Sequence, residues 1–217
     1  MTTENNTAAA NSNDAPVLSL TKKVIGGEKI SLTKAHPGLT KLAIGMGWNP
    51  RRTPGKDFDV DASAFLVTAD GKVRDGGDLI YAYIRKEHAS GAIIHSGDNT
   101  TGQGEGNDET LTVDLTKVPD EITKLVFTAA IYAGCSRRQN FGMVDGAYAC
   151  LIDLTSGAEL YRFDLSEDAS TAVSVILVRV YRHNGEWKFE GVGQGFTGGF
   201  KELCAEHGLN VEEEVDE

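Results

Sequence analysis

GDNTTGQGEGNDETLTVDL, residues 97–115, sets two patterns back to back. In its second half Thr110, Thr112 and Asp114 alternate with Leu111, Val113 and Leu115, the period of a strand with one wet face and one buried face. AIIH, residues 92–95, reads as another strand, so the first half, Gly97 to Glu109, is a loop at a sheet edge. That loop holds Asp98, Asn99, Glu105, Asn107, Asp108 and Glu109 with four glycines and neither Lys nor Arg. Like charges repel at this spacing and glycines lose backbone entropy on ordering, so a purely structural loop of this kind is costly. A hard cation removes both objections. Calcium takes roughly six to eight oxygens with wide angular tolerance. Gly102, Gly104 and Gly106 would let the backbone curl until carbonyls and side chains face one point. The spacing is not that of the helix-flanked calcium loop. The competing reading is a solvated acidic hairpin loop that binds nothing.

Other acidic segments sit beside strands. In DFDVDASAFLVTADGK, residues 57–72, Asp57, Asp59 and Asp61 fall on one side of an extended chain and Phe58 and Val60 on the other. The following strand, Ala62 to Ala69, is apolar on both faces, as expected of a central strand within a sandwich, and ends in a turn at Asp70-Gly71. GKVRDGGD contributes Asp75 and Asp78 before the strand LIYAYI. VLSLTKKV, LTKLAIGMGW, KLVFTAAIYA and AYACLIDL read as further strands, and Pro119 to Ile122 as a short helical turn. AVSVILVRVYR and GEWKFEGVG form a hairpin turning at His183-Asn184-Gly185. A faint internal echo between residues 58–72 and 145–170 places a second acidic group, Asp164, Glu167 and Asp168, on a related loop. Arg137, Arg138, Gln139 and Asn140 form a polar loop, either functional or a turn pinned by Asn140. GGFKELCAEHG spaces Phe200, Leu203, Cys204 and His207 as one helix face, with Thr197 to cap it and Gly208 to close it.

These signals predict an all-β fold: a two-sheet β-sandwich with a short C-terminal amphipathic helix and acidic, calcium-binding loops at one end. Residues 1–15 read as a disordered tail, 16–210 as the sandwich domain and 211–217 as a solvated acidic tail. With 21 Lys and Arg against 32 Asp and Glu the net charge is −11, which disfavours nucleic acid and anionic lipid as direct partners. Glycine, 25 of 217 residues, exceeds the usual level of about 7% and argues for many turns and few long helices. Cys135, Cys150 and Cys204 are odd in number and unpaired in spacing, as in a reduced, intracellular protein. No stretch resembles a secretion signal or a membrane span.

In order along the chain, FDVDASAFLVTADGKV, HSGDNTTGQGEGNDETLTVDL, RRQNFG, YRFDLSED, YRHNGEWKF and GQGFTGGFKELC closely resemble the TerD domain of tellurium-resistance and general stress proteins. The resemblance runs from Gly45 to Gly208. It implies a single calcium-binding β-sandwich, bacterial and cytoplasmic, peripheral to the inner membrane through partners. It also implies a link to tellurite and other stresses, phage infection included, and work alongside other stress and tellurite-resistance proteins in membrane-associated complexes. Metal-binding positions carry over to Asp59, Asp61, Asp98, Asn99, Gly102, Gly104, Gly106, Asp108 and Glu109; the acidic loops add Asp78, Asp164 and Asp168 as candidates. Two positions depart from the family pattern. Asn107 replaces the first of its Asp-Asp-Glu, and Ala149-Cys150 stand where many members carry an Arg.

Three functions compete on the residues alone. A calcium-dependent binding or scaffold module without catalysis fits carboxylates from separate loops converging on an ion. A metal-dependent hydrolase would need a base in the acidic loops, and His95, the only histidine close by, reads as a packing residue at a strand end. A nucleotide site is disfavoured because the glycine loop is acidic and precedes a strand rather than a helix.

Overall fold

The computed structural model describes residues 21–165, 169–212 and 214–215. Among these residues twelve strands form two six-stranded sheets. In chain order they are β1 (Lys22–Lys23), β2 (Lys29–Ser31), β3 (Lys41–Gly47), β4 (Val60–Val67), β5 (Leu79–Tyr81), β6 (Ile93–His95), β7 (Glu109–Asp114), β8 (Lys124–Ile131), β9 (Tyr148–Asp153), β10 (Glu159–Asp164), β11 (Ser174–His183) and β12 (Glu186–Phe196). The first sheet runs β1-β10-β9-β3-β7-β6 and the second β2-β12-β11-β8-β4-β5. Three helices are short: α1 (Leu32–Ala35), α2 (Gly134–Arg137) and α3 (Gly199–Glu206).

Alternation along the strands builds the interior. Leu42, Ile44 and Met46 of β3 and Leu111 and Val113 of β7 face Ala62, Ala64 and Leu66 of β4 and Leu125, Phe127 and Ala129 of β8 across the gap between sheets. β4 is buried at all eight positions for a reason beyond its central place. Its other face, Phe65 and Val67, packs with Tyr81, Val126 and Ile176 against Phe200, Leu203 and Cys204 of α3. The amphipathic helix is thus the lid on the outer face of the second sheet, as its apolar spacing predicts.

Local corrections are small. α3 is capped without Thr197: the Gly198 N–H donates to Glu202 Oε2 at 2.7 Å. Gly208, at φ +87°, follows the helix as expected. Residues 119–122 make only a turn, and the neighbouring 3-10 turn falls at Leu115–Lys117 instead. LIYAYI pairs for three residues and then folds back, with the Tyr81 N–H on the Arg85 carbonyl. Asn184 and Gly185 both adopt positive φ, 52° and 77°, the geometry of a tight hairpin turn. The expected N-terminal tail, residues 1–15, lies outside the described residues.

Cys150 and Cys204 are buried and Cys135 half-buried, all three as free thiols. Burial pushes Cys150 and Cys204 up to about 12, far from the thiolate that sulfur chemistry needs. Because α3 seals an apolar face, Leu203→Ala is expected to cost about 2–5 kcal/mol and lower Tm by about 5–15 °C in a thermal melt.

Candidate metal centre

Asp59 precedes β4 and Asp61 is its second residue, so the two side chains point to the same side of the strand, outward from the sandwich. Asp98 reaches them from the β6–β7 loop. One carboxylate oxygen from each of Asp59, Asp61 and Asp98 lies within 4.8 Å of the others. Asp61 is only 2% exposed. Two buried oxygens, Asp59 Oδ1 and Asp61 Oδ1, have no hydrogen-bond partner among the described residues. The remaining oxygens are engaged: Tyr81 Oη donates to Asp61 Oδ2 at 3.1 Å and Tyr83 Oη to Asp98 Oδ2 at 2.8 Å, while Arg137 Nη1 stands 4.0 Å from Asp59 Oδ2.

This crowding is electrostatically expensive. Burial, then the Asp98 charge, raise Asp59 to about 6 despite the opposing pull of Arg137. Asp61 rises to about 9, through burial first and then the neighbouring Glu109 and Asp59 charges. Burial and the same acids also raise Tyr81 and Tyr83, which keeps both phenols protonated as donors.

Glu109 positions the group. It opens β7, is 1% exposed, and accepts the Ala62 N–H at 2.6 Å on Oε2 and the Asn99 N–H at 3.0 Å on Oε1. Ala62 follows Asp61 and Asn99 follows Asp98, so one side chain sets both acids. His95 completes the support. Its Nδ1 accepts the Gly97 N–H at 3.0 Å, which leaves the ring hydrogen on Nε2 for the Ala62 carbonyl at 3.1 Å. The residue predicted as strand-end packing is a buried hydrogen-bonded brace beside Glu109.

The other predicted ligands divide. Asn99 Oδ1 accepts from the Thr101 and Gly102 amides and its Nδ2 donates to Asp108 Oδ1 at 3.0 Å; Asp108 Oδ2 accepts the Trp48 N–H at 2.9 Å. These bonds fold the glycine loop onto Trp48. Gly102 serves that approach: at φ +67°, a Cβ there would stand 2.5 Å from the Trp48 indole nitrogen. Gly104 and Gly106 also take positive φ, 142° and 89°, with open space around them. Asn107 turns inward over Gly45 and accepts from Tyr148 Oη at 3.0 Å, the packing that the neutral residue serves in place of an acid.

Asp78 and Asp164 are not brought to the cluster. Burial works against Asp78 as an anion, yet Arg74, bonded through Nε at 2.8 Å and Nη2 at 2.7 Å, outweighs it and holds the carboxyl below its ordinary value. His88 Nε2 adds a contact at 3.1 Å. Asp164 is likewise held low, against its partial burial, by Lys23 at 2.6 Å and Arg162 at 3.0 Å. Asp168, with Glu167, lies outside the described residues. In the 137–140 loop the pin is Gln139, not Asn140: its Nε2 donates to the Lys56 and Asp57 carbonyls, fixing the approach to Asp59.

Tyr81, Tyr83 and Glu214 are the neighbours that the sequence reading missed. The alternation Tyr81-Ala82-Tyr83 was the available signal for the first two. Glu214, in the segment expected to be solvated, is half-buried and accepts from Tyr81 Oη at 3.1 Å.

A family model described as the TerD domain matches residues 20–207. The chain belongs to the TerD domain family. It is 46% identical over 185 residues to a tellurium resistance protein TerD of Serratia marcescens, covering 85% of this chain and 96% of the relative. It is 42% identical to general stress protein 16U of Bacillus subtilis over 88% of this chain and all of that protein. A crystal structure of a TerD homologue from Streptomyces coelicolor superposes with TM-score 0.65 at 21% identity, covering 80% of this chain and 100% of that one, and so shares the fold. Among the described residues of this TerD-domain chain no helix is long and apolar enough to cross a membrane.

Two outcomes follow from this geometry. Between about pH 4 and about pH 9 the folded chain keeps a proton on Asp61 that the unfolded chain has lost, so stability falls as pH rises through that window, with Asp59 adding below about pH 6. Melts of metal-free protein should show this decline, and Asp61→Asn should flatten it and raise Tm at the alkaline end. Glu109→Gln turns one acceptor into a donor facing a backbone N–H, and chemical denaturation should register a loss of about 1–3 kcal/mol.

Proposed function

We propose that this TerD-domain chain is a calcium-binding stress-response module that acts by binding and scaffolding, without catalysis of its own. The observation that carries the reading is the convergence of Asp59, Asp61 and Asp98, two of which, Asp59 and Asp61, each keep a buried oxygen without a hydrogen-bond partner among the described residues. Buried carboxylate oxygens are costly when unsatisfied, and a divalent cation is the species that three converging acids would take. Asp59, Asp61 and Asp98 would hold the ion. The charge density and oxygen-only donor set favour calcium over softer metals. A bound ion would tie β4 to the β6–β7 loop and stiffen the surface they share.

Binding rather than hydrolysis is supported by the groups around the site. Tyr81 and Tyr83 are raised phenols that donate, and both His95 nitrogens meet the backbone, so neither the phenols nor this histidine is free to take a proton from water. The relatives' names, resistance to tellurium and general stress, support assignment to the same response. Other proteins of that response, in cytoplasmic complexes peripheral to the inner membrane, are the partners we propose.

Calorimetric titration of metal-stripped protein tests the ion. Calcium should bind with one class of heats that magnesium does not reproduce, and with an affinity that rises with pH, first through about 6 as the proton leaves Asp59 and then through about 9 as it leaves Asp61. Asp61→Asn or Asp98→Asn should weaken it by tenfold or more, whereas Asp164→Asn should leave it unchanged. Silence in the wild-type titration sinks the proposal.

A further inference from the structure

The segment after α3 lies beyond the matched domain, which ends at residue 207. It nevertheless folds back onto the body. The Leu209 N–H donates to the Cys204 carbonyl at 2.9 Å, and Leu209 and Val211 pack against the apolar cluster of Phe65, Phe200 and Leu203. From there the chain reaches the metal centre. Glu214 Oε1 accepts from Tyr81 Oη at 3.1 Å, and Oε2 stands 3.4 Å from the Ala133 N–H.

Tyr81 thereby stands between two acids. Its oxygen is 3.1 Å from Asp61 Oδ2 and 3.1 Å from Glu214 Oε1, yet a phenol has one proton to give. Without an ion, Glu214 shares that proton with Asp61 and meets the neighbouring Asp59 charge. An ion bound to Asp61 cancels the repulsion and frees the hydroxyl for Glu214.

We infer that Glu214 is an additional acid of the metal centre, acting from outside the ligand trio through Tyr81, and that the C-terminal segment is a latch coupled to cation occupancy. This rests on the calcium reading above. Docking of Glu214 deepens the negative potential on the ion, and the ion removes the charge that opposes docking, so each favours the other by the same factor. The segment that Leu209 and Val211 anchor then reports the state of the site on the outer face of the second sheet, beside α3.

The test uses the full chain, stripped of metal and titrated with calcium in a calorimeter. Glu214→Gln should lower calcium affinity about tenfold, within the usual range of coupling between sites. Glu212→Gln, which removes the same charge from an exposed position nearby, should not. In parallel, hydrogen exchange at the Leu209 and Val211 amides should slow when calcium replaces chelator in the wild type and respond less in the Glu214→Gln chain. Equal calcium affinity in wild type and Glu214→Gln, or exchange indifferent to calcium, overturns the latch while leaving the ion in place. Absence of calcium heat in the wild type removes the metal reading and the latch together.

Discussion

The buried Glu109 carboxylate is the constraint on which the site depends. It belongs to β7 of one sheet but accepts a backbone N–H from β4 of the other, and its second oxygen accepts one from the loop that carries Asp98. Hydrogen bonds to an ionised acceptor are worth about 1.5–3 kcal/mol each, and an acid buried without them would be strongly destabilising. The sandwich therefore does more than bury apolar surface. It brings Asp61 and Asp98, distant in sequence, to a fixed separation through a side chain that is itself acidic and adds to their repulsion. Stability and charge crowding come from the same residue.

The architecture was largely legible because its signals are local. Period-two alternation marked β7, two-sided apolarity marked β4, Asn184-Gly185 marked the hairpin and Phe200, Leu203 and Cys204 marked α3. The strand partners were not legible. Nothing in LIYAYI says that pairing stops at Tyr81, and nothing in the apolar outer face of β4 says that a helix rather than another sheet covers it.

The site was legible in part, and its misses share one cause. Acidic segments beside strands pointed to Asp59, Asp61 and Asp98, which the fold brings together, and also to Asp78 and Asp164, which arginines at positions 74 and 162 hold in ion pairs. The glycine loop lacks both Lys and Arg; GKVRDGGD and YRFDL do not, since an Arg stands four or two residues before the acid. Glu109 and Asp108 carry the same functional group as Asp98 yet serve the backbone, because their oxygens meet N–H groups of Ala62, Asn99 and Trp48. Which acid meets an amide is a matter of tertiary register, and no spacing rule contains it.

Charge arithmetic narrows what such a centre would hold. Asp59, Asp61 and Asp98, when ionised, bring −3, and Arg137 beside Asp59 returns +1, so these four groups alone sum to −2, with Glu109 and Glu214 adding negative charge around them. A dication balances that sum, whereas a monovalent ion leaves part of the repulsion that raises Asp59 and Asp61. The two halves of the group differ in setting: Asp61 is fixed in a strand buried on both faces, while Asp98 is exposed and held by a single phenol, Tyr83. An ion that tolerates unequal distances can draw Asp98 inward without disturbing β4. One that demands a regular octahedron would have to move the strand, against the packing of both cores.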